Sequence, residues 1–542
     1  MNLKVLKSYI ILIAITISSS IFADINVNFS NPISTPPDTT TPNLSDPNQT
    51  AILPQIATSY CGRNVYAIWQ RQNDGIDFQV QTAISSDFGR TWNDPISTPP
   101  STTTPNLSVG GDEAEEADIT TNSSGKYVYA VWDKEASPNA VIQVAISHDY
   151  GQTWQNPTST PLGTTTPNLS VGGDADVPHV VTDQSGKYVY AIWFLLDGDG
   201  NTIVQVAISH DYGVTWQNPT TSPPGTTSPN LSVGGANPEG TAFNQQIVTN
   251  STGQYVYVLW QRSNGSDDIV QIVISSDFGV TWQDPTTTPP GTLTPNLSVI
   301  GKQADEPNLA TDSTGKFVYA VWDRKNDSSN EIVQIAISSD FGVTWQNPTS
   351  TPPGTSTPNL STPGGNGEEP FVVTDISGKF VYVTWFREGA FDIAQVAISH
   401  DFGKTFQNPT TTPLGTIPPN LSLTGGSAHH VRIGVDNSGR YIYIVWHRDD
   451  GTHLIIQEAN SSDFGVTWQD PTTTPPGTLP PELSLDGGTA DAPALVVDGL
   501  GNNIYVIWYR NDGIRNIVQV ANGLKTLFPI RNLTIKSFGR GD

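Results

Sequence analysis

Eight times along the 542-residue chain an apolar run ends in tryptophan: Trp69, Trp132, Trp193, Trp260, Trp322, Trp385, Trp446 and Trp508. Seven times a second signature follows, Ser-x-Asp-x-Gly-x-Thr-Trp or its Phe variant, starting at Ser85, Ser147, Ser209, Ser275, Ser338, Ser399 and Ser461. The steps between copies are 62, 62, 66, 63, 61 and 62 residues. A fixed period of this length, built from short strands and turns, marks a repeat architecture and overrides the multi-domain expectation that length alone would give. In the fifth unit the expected strands are Glu306 to Asp312, Phe317 to Trp322 and Glu331 to Ile337, the last running into the signature at Ser338. The second is rich in β-branched and aromatic residues and apolar on both faces, as a strand packed between two neighbours must be. The Thr/Pro/Gly stretch that follows cannot complete a central ladder, which predicts an outer edge strand with a long exposed loop.

The signature resembles the Asp-box of the sialidase-like (BNR-repeat) β-propellers, and its copies cover nearly all of the chain after the leader. The resemblance implies a four-stranded blade with the box on the turn between its third and fourth strands. The aspartates Asp87, Asp149, Asp211, Asp277, Asp340, Asp401 and Asp463 are then structural. Each accepts hydrogen bonds from turn N–H groups, while Gly permits the tight backbone and Trp fills an inter-strand gap. All 14 tryptophans end either a second strand or a box, which points to core rather than sugar platforms.

The last unit stops without a box, and its missing end stands at the front. Asp24 to Pro32 aligns with Asp-Phe-Gly-Val-Thr-Trp-Gln-Asn-Pro of other units, and Pro42-Asn43-Leu44-Ser45 matches the usual loop. The expected fold class is therefore all-β: a single β-propeller of about eight four-stranded blades, its ring closed by combining N- and C-terminal strands. Residues 1–23 read as a signal peptide, with Lys4 and Lys7 before an apolar stretch too short for a membrane span. Residues 24–524 form the propeller and 525–542 a C-terminal tail. No lipobox cysteine lies near the cleavage site, so the expected location is secreted, periplasmic or at the cell surface. Cys61 is the only cysteine and has no internal disulfide partner.

The net charge of −26 repels nucleic acid and anionic membranes, so neither is an expected partner. No cofactor or metal is called for. Asp197-Gly198-Asp199-Gly200-Asn201 begins like a calcium loop, but Thr202 replaces the required Gly, and a hairpin turn explains it. The adjacent His429 and His430 project to opposite sides of a strand and cannot share a metal. The Asn-Leu-Ser triplets are glycosylation acceptors only in a host with that machinery, and the closing Arg540-Gly541-Asp542 is an adhesion tripeptide by letters only.

Candidate ligand-binding residues gather on the face opposite the boxes, where the active site lies in the family resembled. Arg71, Arg262, Arg324, Arg387, Arg448 and Arg510 each follow the strand Trp by two residues, with Lys134 and Leu195 in the second and third units. Guanidinium forks match carboxylates, so this ring suits an acidic sugar; the alternative is that each Arg pairs with a neighbouring blade's carboxylate and orders a loop. Acidic residues precede the first strands: Glu115 and Glu116, Asp176, Asp305 and Glu306, Glu368 and Glu369, and Asp491. One first-strand position differs between units, reading Gln55, Asp118, His179, Gln246, Asn308, Phe371, Arg432 and Ala494. First strands line a propeller's channel, so Asp118, His179 and Arg432 stand as contact candidates.

Function stays open between three readings. The first is a non-catalytic module binding sialylated or other acidic glycans, or a protein. The second is an exo-sialidase or related glycoside hydrolase with a diverged site. The third is a structural surface component assembling through the Thr/Pro loops. Against the second, no Phe/Tyr-Arg-Ile-Pro segment is present, the tyrosines mostly repeat as packing residues, and eight units exceed the six blades usual for sialidases. Catalytic residues are not assigned.

Overall fold

The computed structural model describes residues 25–527 apart from 74–76, 111–112, 137, 171, 199, 235–239 and 486. The expected leader, Asp24, residues 528–542 of the expected tail, and Asp199 lie outside the described residues. Among the described residues every regular element is a strand, and the strands form eight antiparallel sheets.

In the fifth unit the strands are Ala304–Thr311, Val318–Lys325 and Glu331–Ser338. The first begins two residues before Glu306 because a bulge lets pairing resume across it: Ala304 and Asp305 face Arg324 and Asp323, then the register shifts before Asn308. Glu306 sits at that bulge with φ of 50°, as do its counterparts Glu116, Glu369 and His430 at 48°, 49° and 50°. The second strand runs three residues past Trp322, so Arg324 is a strand residue and not the loop residue expected.

After Ser338 the chain forms no ladder with its sheet among the described residues and pairs with it at isolated bridges, Gln346 with Ile337 and Asn359 with Gln334. The Asn-Leu-Ser triplet supplies that second fastening. Gln334 Nε2 donates to Asn359 Oδ1 at 2.7 Å, Leu360 is buried, and Ser361 Oγ accepts Val333 N–H at 2.9 Å. Among the described residues only the last sheet has four laddered strands, Ala490–Val497, Asn503–Asn511, Asn516–Leu527 and, from the other end of the chain, Ile25–Ser30. Asn516–Leu527 takes in residues 525–527, the first three of the expected tail.

Each sheet is bonded to the next by one tyrosine. Tyr66 Oη donates to Gly125 O at 2.5 Å, Tyr190 to Gly253 at 2.6 Å and Tyr443 to Gly501 at 2.9 Å. Tyr129, Tyr257, Tyr319 and Tyr382 do the same to Gly186, Gly315, Gly378 and Gly439. Tyr505 of the last sheet then reaches Gly62 of the first at 2.6 Å, which brings the series back to its start. Apolar clusters cross the same seams; one joins Leu44, Trp69 and Trp92 to Tyr505, Ile507 and Val520.

The eight-residue turn is held as its residue types require. Asp87 accepts Thr91 N–H at 2.9 Å and Thr91 Oγ1–H at 2.8 Å, while Ser85 Oγ accepts Gly89 N–H at 3.0 Å. Phe88 and Gly89 both take positive φ, at 66° and 71°. Burial pushes the Asp87 carboxyl up, but the bonds from Thr91 and Ser85 outweigh it and hold it below the usual range. The strand tryptophans are at most 2% exposed and the box aromatics at most 4%, so they are core.

Candidate functional site

A cavity of about 610 Å³ opens where the first strands converge. Of the variable set, Gln55, His179, Gln246, Asn308, Phe371, Arg432 and Ala494 line it. Asp118 does not. Its carboxylate turns into the next unit, where Oδ2 accepts Val180 N–H at 2.9 Å and lies 3.5 Å from His179 Nδ1. The Trp-x-Arg arginines do not line the cavity either, because two residues along a strand returns to the face of the Trp. Arg262 shares a separate pocket of about 210 Å³ with Trp260, Asp284 and the Pro223–Pro224 loop. Arg71 lies 3.9 Å from Asp46, and Arg510 Nε donates to Leu485 O at 3.4 Å, both in the loops that precede their first strands. A Cβ placed on Gly365 or Gly426 would meet the guanidinium of Arg387 or Arg448 within 3.0 Å. Arg71 thus faces a carboxylate, and Arg387, Arg448 and Arg510 lie against the loops before their first strands. Arg324 is half-buried, and that burial lowers its pKa.

Arg432 is different. It is half-buried on the cavity wall, with its guanidinium 5.5 Å from the Phe371 ring centroid, and Nη1 donates to the Val431 carbonyl at 3.1 Å. It makes no ion pair among the described residues. Burial lowers its pKa, while Glu369 and Glu306 pull the other way. Those two glutamates, read from the sequence as standing at the starts of the first strands, lie within them and line the cavity. Glu306 Oε2 accepts Glu369 N–H at 2.9 Å, and burial followed by the Glu369 charge raises the Glu306 pKa.

A second recurrent cluster sits at the seams, and sequence reasoning missed it because its members lie far apart in the chain. It combines the bulge residue and the residue after the strand Trp in one unit with a first-strand residue of the next unit. In one seam this gives Asn244, Gln261 and Asp305, joined by amide hydrogen bonds of 3.1 and 2.6 Å. In another it gives Glu116, Asp133 and Asp176, where burial, then the neighbouring carboxylates, push Asp133 up to about 8 and Glu116 to about 7. In the seam between the seventh and eighth units it gives His430, His447 and Asp491. The signal available in the sequence was the unit-by-unit variation of the residue after Trp: Gln70, Asp133, Phe194, Gln261, Asp323, Phe386, His447 and Tyr509.

As expected, adjacent histidines part company. His429 Nε2 lies 3.0 Å from Asp392 of the sixth unit, whereas His430 Nδ1 lies 3.1 Å from Asp491 of the eighth. In the Asp197 run, Asn201 N–H returns to Asp197 Oδ1 at 2.9 Å, a local turn.

No known family model matches the chain, and no curated protein does. Solved structures offer a low likeness. A protein of unknown function from Dyadobacter fermentans is 14% identical with a TM-score of 0.37, over 69% of this chain and 98% of that one. A Hadza microbial sialidase is also 14% identical, TM-score 0.34, over 66% of this chain and 65% of that one. An ulvan lyase of a polysaccharide lyase family is 10% identical, TM-score 0.42, over 73% and 89% respectively. The β-propeller domain of the trilobed protease from Pyrococcus furiosus is 9% identical, TM-score 0.38, over 76% and 95%. At these scores the likeness carries no activity over to this chain.

Proposed function

We propose that the chain is a secreted, sialidase-like β-propeller of eight blades that binds an acidic glycan in its axial cavity. The observation that carries this reading is Arg432, a guanidinium on the cavity wall with no carboxylate partner among the described residues. Around it, Gln55, Gln246 and Asn308 offer the neutral donors and acceptors that sugar hydroxyls need, and Phe371 an apolar face. The unpaired fork is suited to a sugar carboxylate. The secretory part of the proposal rests on residues 1–23.

A second reading, glycoside hydrolysis, is favoured by Glu306 and Glu369 facing the same cavity with the Glu306 pKa raised. Two carboxyls facing one cavity, one of them with its pKa raised, are the kind of pair such chemistry uses.

The test is glycan-array binding by purified residues 24–542, followed by titration of the best carboxylated hit. Arg432→Ala is expected to weaken binding at least about tenfold, the scale of one charged hydrogen bond left unmade. Arg262→Ala, remote from the cavity, is expected to leave it unchanged. Equal affinity in wild type and Arg432→Ala would remove the proposed site. Release of product from a bound glycoside, lost in Glu306→Gln, would establish the hydrolytic reading instead.

A further inference from the structure

The seam between the seventh and eighth units brings two imidazoles and a carboxylate to one point. His430 stands on the bulge of Ser427–Val435, His447 on the strand Ile442–Asp449, and Asp491 on Ala490–Val497 of the next unit. Both imidazoles aim Nδ1 at the same oxygen, Asp491 Oδ1, from 3.1 Å and 2.6 Å. The three donor atoms lie within 4.8 Å of one another. We propose that this seam binds a transition-metal dication of the zinc class, with His430 Nδ1, His447 Nδ1 and Asp491 as its three protein ligands.

The donor set and spacing suit such an ion. Zinc takes imidazole nitrogen and carboxylate oxygen at ~2.0–2.2 Å in a tetrahedron, so ligand atoms stand ~3.3–3.4 Å apart. At 3.1 Å and 2.6 Å, the two separations from Asp491 Oδ1 need to open by less than ~1 Å, within the reach of small side-chain rotations. Asp491 Oδ1 gathers three nitrogens, His430 Nδ1, His447 Nδ1 and, at 2.6 Å, the backbone N–H of Ala492. With the ring protons on Nε2, each Nδ1 has a lone pair to offer a cation at that point.

The surroundings meet the other requirements of a metal centre. Tyr509 Oη donates to Asp491 Oδ2 at 3.1 Å and fixes the carboxylate from outside. Glu369 Oε1 lies 4.0 Å from His430 Nε2, on the far side of that ring from the three donors. Outer partners of this kind orient ligands and strengthen binding. His447 is buried, which shields the site, while His430 lines the axial cavity and provides the route of entry. With three protein ligands the fourth position is left to a water or an incoming group on the cavity side. The equivalent seam of Asn244, Gln261 and Asp305 is closed by amide hydrogen bonds, so the geometry alone does not make a site; the two imidazoles do.

The test uses tag-free protein stripped with a chelator, titrated with Zn2+ by calorimetry and with Co2+ by visible absorption. One equivalent is expected, with the Co2+ spectrum of a nitrogen- and oxygen-ligated ion. His430→Gln, half-exposed and able to fold, and Asp491→Asn are each expected to weaken binding at least about tenfold. His400→Ala, whose ring bonds Phe464 O elsewhere, is expected to bind as wild type. Absence of stoichiometric binding overturns the proposal, and so does binding of wild-type strength in both His430→Gln and Asp491→Asn.

Discussion

Glu458 occupies a place that Val396 and Val520 fill in the neighbouring units, opposite Val445 and wholly buried. Its Oε2 accepts Asn460 Nδ2 at 3.2 Å, and its Oε1 finds no partner. Burial drives its pKa well above 4.5, so it is carried as the neutral acid. A buried carboxyl with half its hydrogen bonding unmet costs stability that an apolar side chain of similar size does not. Glu458→Val is therefore expected to stabilise the fold by about 1–4 kcal/mol at neutral pH, read from urea unfolding. A lower midpoint would show that the Asn460 contact matters more than the desolvation. Thr384 stands in a similar position, with a buried hydroxyl that has no partner where other units place Val321 and Val445.

Among the elements, Ile25–Ser30 has a role no internal strand shares. It pairs antiparallel with Asn516–Leu527, and Phe29 N–H also bonds Thr473 O of the preceding unit at 2.9 Å. Val27 and Phe29 enter the apolar cluster containing Tyr443 and Trp508. The N-terminal strand thus completes the eighth unit's sheet from the opposite end of the chain and packs it against the seventh. Phe29→Ala is expected to cost about 3–5 kcal/mol, as a large-to-small change in a packed core does. Removal of residues 24–45 is expected to lower the melting temperature far more than that single change. A melting curve unchanged by the deletion would mean that the fold does not depend on this fastening.

Over the whole molecule, the acidic surplus is managed partly by protonation inside. Asp133 is pushed up to about 8, Glu116 to about 7 and Glu368 to about 9, burial being the largest cause in each. Asp323 is raised well above 3.8 by burial and then by Glu306. Each folded pKa lies above its unfolded value, so the native state holds protons that the unfolded chain has released. The stability these groups contribute is complete below about pH 4 and is lost as pH rises through 7 to 9. Asp491, whose histidine bonds hold it far below 3.8, acts in the opposite sense and only in stronger acid. Calorimetry in chelator is expected to show a melting temperature falling from mildly acidic pH to pH 8, and Asp133→Asn to flatten that slope. A melting temperature that rises over the same range would contradict the assignment.

The repeat was legible because each unit must satisfy the same local demands. β-Branched and aromatic runs mark the strands, Ser-x-Asp-x-Gly-x-Thr-Trp encodes its own turn, and the split last unit is visible as a missing end and a matching beginning. These are short-range constraints, and short-range constraints are written in neighbouring letters. The bulge at Glu306 was not legible, so the first strands were read as starting late and the Trp-x-Arg arginines as loop residues facing the ligand. Strand parity instead returned Arg262 to the side of Trp260. The variable first-strand position was found from sequence, although Asp118 leaves that ring for Val180 N–H. His430, His447 and Asp491 are separated by up to 61 residues and meet only because one unit packs on the next. The chain alone determined what each unit is; the packing of unit on unit decided which side chains face one another, because those distances are set between sheets and not by any local run of residues.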